Sequence, residues 1–94
     1  MNVAGQFAAN LVRCRERADL SQEGLGIRAS VHRTEVSQLE RGLRIPRIDT
    51  LVKLAASLEA PPAELLEGIA WEPGGMVYGS FSTPDAALAQ RKGI

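Results

Sequence analysis

The chain has 94 residues, 45% hydrophobic and 23% charged, and its eleven Lys and Arg against eleven Asp and Glu leave no formal net charge. That length fits one small domain with a single core, and no apolar run approaches the roughly 20 residues of a membrane span. A lone Cys14 and a lone His32 exclude a disulfide framework and a cysteine-rich zinc site, so no metal and no cofactor is expected.

Through about residue 70 the apolar positions follow a helical period. Phe7, Leu11, Cys14 and Ala18 share one face of a helix over residues 5–18, with Arg13, Arg15, Glu16 and Arg17 opposite; Cys14 reads as a small core residue. Asp19-Leu20-Ser21 breaks the pattern, and Ser21 is a good N-cap for a second helix reaching residue 29, with Leu25 and Ala29 apolar. Gly24 and Gly26 weaken that helix, so it needs tertiary packing. A third helix runs from residue 32 or 33 to 41, with Val36 and Leu39 inward and Gly42 at the C-cap. Residues 43–47 form a loop in which Pro46 keeps Ile45 out of helical geometry. Ile48, Leu51, Leu54, Ala55 and Leu58 mark a fourth helix. A fifth, short helix starts near Pro62 and buries Leu65, Leu66 and Ile69.

The texture then changes. Residues 71–75, WEPGG, cannot continue a helix. Met76, Val77, Tyr78 and Phe81 read as a short strand, and residues 86–91 as a last short helix. Trp71, Tyr78 and Phe81 make this tail aromatic, unlike a disordered segment, so it is expected to pack on its own domain or on a second copy.

Two short helices joined by a tight turn, the second with a polar, basic outer face, form a candidate helix-turn-helix. Residues 20–42, LSQEGLGIRASVHRTEVSQLERG, resemble the repressors of the Cro/phage-repressor class, the XRE family. The pattern continues through Pro46-Arg47-Ile48-Asp49-Thr50-Leu51 and Leu54-Ala55 to Leu65-Leu66, covering residues 5–69. The resemblance implies an all-α, five-helix lambda-repressor-like DNA-binding domain over residues 1–70 and a C-terminal tail over 71–94. Two departures concern turns: Ser30 and Asp19 stand where the family commonly has glycine, and at Ser30 that glycine serves a left-handed backbone.

The family's pattern also assigns residue roles. The third helix would enter a major groove about 12 Å wide, where Arg33 can pair with guanine O6 and N7, Gln38 with adenine N6 and N7, and Thr34 with thymine methyl or a phosphate. Without the resemblance, Arg33 and Gln38 would read as a solvated helix face. Glu35 either accepts from cytosine N4 or pairs with Arg28 or Arg33. Gln22, His32 and Ser37 are expected at backbone phosphates, as are Arg41, Arg44 and Arg47 beside the groove, where contacts hold register without reading sequence. Glu40 reads as structural, paired with Arg13, Arg17 or Arg47.

The formal zero hides a gradient. Residues 1–47 carry eight arginines against five acids, and residues 48–94 carry three bases against six acids, a balance of +3 and −3. The basic half would face DNA. The leading reading is therefore a DNA-binding transcription regulator acting as a homodimer on a palindromic operator. Helix five (Leu65, Leu66, Ile69) and the aromatics Trp71, Tyr78 and Phe81 are the expected dimer interface, with residues 76–81 packing across the two-fold axis. An antitoxin-like module whose tail holds a protein partner is the alternative. An enzyme has no support, because no nucleophile–base pair or Gly-rich phosphate loop is present. The N-terminal MNVAGQFAAN lacks a basic stretch followed by an apolar one, so no secretory signal is expected and a cytoplasmic location follows.

Overall fold

The computed structural model describes residues 1–84. Among them run five helices, α1 (Val3–Arg17), α2 (Gln22–Ala29), α3 (Arg33–Glu40), α4 (Ile48–Ser57) and α5 (Pro62–Leu65), then two strands, β1 (Ala70–Glu72) and β2 (Ser80–Ser82). The expected helix over residues 86–91 lies outside the described residues.

The helix ends follow local chemistry. Asn2 caps α1, its Oδ1 accepting the Gly5 N–H at 2.8 Å, and Ser21 Oγ caps α2 by accepting the Gly24 N–H at 2.9 Å. Each such cap satisfies an amide with no partner inside the helix. Pro62 opens α5, where its missing N–H is no loss. At the other ends the chain turns through left-handed residues: Asp19 (φ 58°) after α1, Ser30 (φ 55°) after α2, Gly42 (φ 71°) after α3 and Glu59 (φ 54°) after α4. Ser30 thus adopts the conformation for which the family usually supplies glycine.

The core forms where the apolar stripes meet. Phe7, Leu11 and Cys14 of α1, Leu25 and Ala29 of α2, Val36 and Leu39 of α3, Leu54 and Ala55 of α4, and Leu65 of α5 are all buried. Asn10 is buried with them, and its hydrogen-bonding capacity is used. Its Nδ2 donates to the carbonyls of Leu65 at 2.9 Å and Glu67 at 2.8 Å, while its Oδ1 accepts from Gln6 and Arg13. Buried amides need such partners, and this one ties α1 to the end of α5. Gly26 serves the turn after α2: a Cβ there would lie 2.6 Å from the Val31 carbonyl oxygen.

Two expectations for the C-terminal part are corrected. Helix α5 stops at Leu65, leaving Leu66 exposed and Ile69 only partly buried against the core. Met76, Val77 and Tyr78 lie in the link between β1 and β2, not in a strand. The Val77 N–H donates to the Gly74 carbonyl at 3.0 Å, and a Cβ on Gly74 would fall 1.7 Å from the Val77 oxygen. Glycine at position 74 therefore closes the link more tightly than the apolar run suggests. The strands pair antiparallel with Trp71 opposite Phe81, and the two rings meet edge to face with centroids 5.0 Å apart. The chain returns to its own beginning at Thr83, whose hydroxyl donates to the Met1 carbonyl at 2.6 Å.

No helix of the described residues is long and apolar enough to cross a membrane, and no group of three His, Cys, Asp or Glu among them could hold a metal ion.

Candidate nucleic-acid interface

Helix α3 is amphipathic in the way its sequence demands. Val36 and Leu39 are wholly buried, which turns Arg33 and Thr34 out to solvent and leaves Glu35, Ser37 and Gln38 along the flank. The basic group continues past the helix with Arg41, Arg44 and Arg47, all exposed. Among the predicted base-reading and phosphate-binding residues, the structure links Arg44 to Gln38 and ties Gln22, at the start of α2, to Glu40 at the end of α3.

His32 is the N-cap of α3. Its Nδ1 accepts the Thr34 N–H at 3.2 Å. The side chain therefore serves the helix start directly, satisfying an amide that has no partner inside the helix.

Gln22 is held from behind. Its Nε2 donates to Glu40 Oε1 at 3.0 Å, and Arg15 grips the same carboxylate through Nε at 2.5 Å and Nη2 at 3.0 Å. Arg15 also donates to the Leu20 carbonyl at 2.8 Å. Glu40 is structural, as its sequence position implies, but its partner is Arg15 and not Arg13, Arg17 or Arg47. Hydrogen bonding to Glu40, partly opposed by burial, raises the Arg15 guanidinium above its ordinary value. Arg13 and Arg17 turn instead to α5 and the residues after it, pairing with Glu67 at 3.1 Å and Glu64 at 2.6 Å.

Other side chains depart from their expected partners. Glu35 makes no ion pair with Arg28 or Arg33 among the described residues; Arg28 donates to the Ser57 carbonyl at 3.4 Å. Arg47 lies 3.4 Å from Asp49, an exposed pair in the first turn of α4. Arg44 Nη1 donates to Gln38 Oε1 at 3.2 Å, a link between a loop arginine and α3 that the sequence did not disclose.

The residues expected at a dimer interface divide by exposure. Leu65 is buried in the protomer's own core and has no surface to offer. Leu66, Trp71 and Phe81 are each at least two-fifths exposed, and Met76 and Tyr78 are fully so. A hairpin of two strands with this much bare apolar surface is marginal in water on its own.

A family model described as a helix-turn-helix domain matches residues 6–67. The control protein C.BamHI of Bacillus amyloliquefaciens is 35% identical over 51 residues, which are 54% of this chain and 63% of that protein, so the match spans less than two thirds of the relative. The fold is similar to that of the restriction-modification controller protein C.AhdI from Aeromonas hydrophila, with a TM-score of 0.64 and 34% identity over 66% of this chain and 94% of that one. The hypothetical transcription factor NHTF from Neisseria, 24% identical, gives a TM-score of 0.67 over 95% of this chain and 85% of that one. That last likeness is one of fold, and it extends past the helices into the C-terminal segment.

Proposed function

From the premise that the chain belongs to the helix-turn-helix family in its Cro/phage-repressor (XRE) form, we propose that it is a sequence-specific DNA-binding transcription regulator. The observation that carries this reading is the first turn of α3: Arg33 and Thr34 stand clear of the domain, while Val36 and Leu39 anchor the same helix in the core. A major groove about 12 Å wide admits one such helix. Arg33, Thr34, Glu35 and Gln38 read base edges. Gln22, His32, Ser37, Arg41 and Arg47 hold the phosphates on either side, fixing register.

One domain of this size touches few base pairs. Useful specificity then calls for a symmetric pair reading half-sites about one helical turn, roughly 34 Å, apart. The exposed apolar side chains of Leu66, Trp71, Tyr78 and Phe81 support a homodimer built on the region after α5, where Ile69 is partly buried against the protomer's own core.

Selection of bound sequences from random DNA is the direct test, and a palindrome is the expected product. On that site Arg33→Ala loses about 1–3 kcal/mol and relaxes preference at one base pair. Equal losses on cognate and random DNA would show that Arg33 does not read bases. Deleting residues 72–94 should shift the protein toward monomer in sedimentation; an unchanged dimer removes the tail from the interface.

A further inference from the structure

The turn that closes α3 delivers Arg44 to Gln38. After the C-cap residue Arg41, Gly42 takes a left-handed conformation, its N–H donating to the Leu39 carbonyl at 3.1 Å while the Leu43 N–H donates to the Gln38 carbonyl at 3.0 Å. This double closure is the Schellman pattern, and it reverses the chain within two residues. Arg44 therefore comes back alongside the last turn of α3, and its Nη1 reaches Gln38 Oε1 at 3.2 Å.

The chemistry of the pair fixes the amide. A guanidinium carries donors only, so Gln38 can meet it only with its oxygen, and the Nε2 end turns away from Arg44. A carboxamide free to flip reads adenine with one acceptor and one donor, on N6 and N7. A carbonyl oxygen has two lone pairs, so the Arg44 contact leaves Oε1 able to accept a second hydrogen bond and fixes instead which end of the amide faces which way.

Resting on the reading of Gln38 as a base-contacting residue, we infer that Arg44 is a specificity-determining residue that acts through Gln38, by setting the orientation in which its carboxamide meets a base. Arg44 is here a positioning residue, distinct from Arg41 and Arg47, whose guanidinium groups make no such link to α3 among the described residues. Both members of the pair lie at the surface, so their substitution leaves the core intact.

The test uses the full chain and a panel of duplexes in which each base pair of the selected half-site is changed in turn. Wild type, Arg44→Ala, Gln38→Ala and the double variant are titrated against the whole panel. Wild type should discriminate among the bases at the position governed by Gln38 by roughly fivefold or more. Arg44→Ala should erase or reverse that preference and leave preferences at other positions in place. In the Gln38→Ala background, removing Arg44 should change no base preference further. A loss that is uniform across the panel, and of equal size in both backgrounds, would overturn the proposal and make Arg44 an independent phosphate contact. If Gln38→Ala alone alters no base preference, the underlying reading of Gln38 fails, an outcome distinct from the first.

Discussion

Arg15 of α1 holds both carboxylate oxygens of Glu40 at the end of α3, and the same carboxylate accepts from Gln22 at the start of α2. The three helices that frame the proposed DNA-reading surface are therefore joined at one half-hidden charge pair, with side-chain exposures of 17% for Arg15 and 5% for Glu40. Breaking such a pair strands a guanidinium that has already been taken from water. Glu40→Ala should lower unfolding stability by about 3 kcal/mol, measured by urea titration with the slope unchanged. A loss below about 1 kcal/mol would mean that the pair behaves as an ordinary surface bridge.

Asn10 is the second polar anchor of the fold. Removing its side chain leaves the buried Leu65 carbonyl without its donor and the part-buried Glu67 carbonyl with Gln6 alone, at 3.3 Å. Asn10→Ala should cost about 1–3 kcal/mol. Asn10→Leu should do no better, because the new apolar volume cannot satisfy either carbonyl. Stability equal to or above wild type in the leucine variant would show that those carbonyls find other donors.

The helices were legible because each carries its own local signals: Ser21 before α2, Gly42 after α3, Pro62 at the head of α5, and an apolar stripe of helical period throughout. What stayed hidden depended on how helices cross. Arg13, Arg15 and Arg17 alternate along one polar stretch of α1, and nothing local says which of them meets Glu40; the packing of α1 against α3 decides it. Asn10 did leave a trace, since it falls between Phe7, Leu11 and Cys14 on the buried face, where a polar residue needs an explanation. In the tail, the apolar run at Met76, Val77 and Tyr78 outweighed the glycines around it, although Gly74 and Gly79 both sit too close to neighbouring backbone to carry a side chain. At the proposed site, exposure follows from α3's periodicity, whereas the Arg44–Gln38 link depends on the turn geometry beyond the helix.

Ser30 and Glu59 hold left-handed backbone at helix ends with φ of 55° and 54°. For a residue with a Cβ that conformation costs roughly 1–2 kcal/mol, part of which glycine returns through its freer unfolded chain. Ser30→Gly and Glu59→Gly should each raise stability by up to about 1 kcal/mol, a gain of several degrees in Tm for a domain this small. The sites lie in different turns, so the double variant should show the sum. A fall in Tm for Ser30→Gly would show that its side chain contributes to the turn more than its backbone costs.

Glu64 supplies a dependence on pH. Arg17 donates to both of its carboxylate oxygens, at 2.6 and 2.7 Å, and this hydrogen bonding holds the carboxyl below its ordinary value, against desolvation and with help from the charges of Arg17 and Arg13. A carboxyl that binds its proton less readily folded than unfolded favours the folded state above the unfolded value, about 4.3 for glutamate. That contribution is complete at neutral pH and is lost as the pH falls through the lower folded value. Glu64→Gln removes it at every pH. The Tm gap between wild type and variant should therefore hold steady from pH 7 to about 5 and close progressively toward pH 3. The pair lies at the surface, so added salt should narrow the gap at neutral pH. A gap of the same size at pH 3 and pH 7 would mean that Arg17 does not favour the ionised form of Glu64, and that their contact stabilises the fold by packing alone.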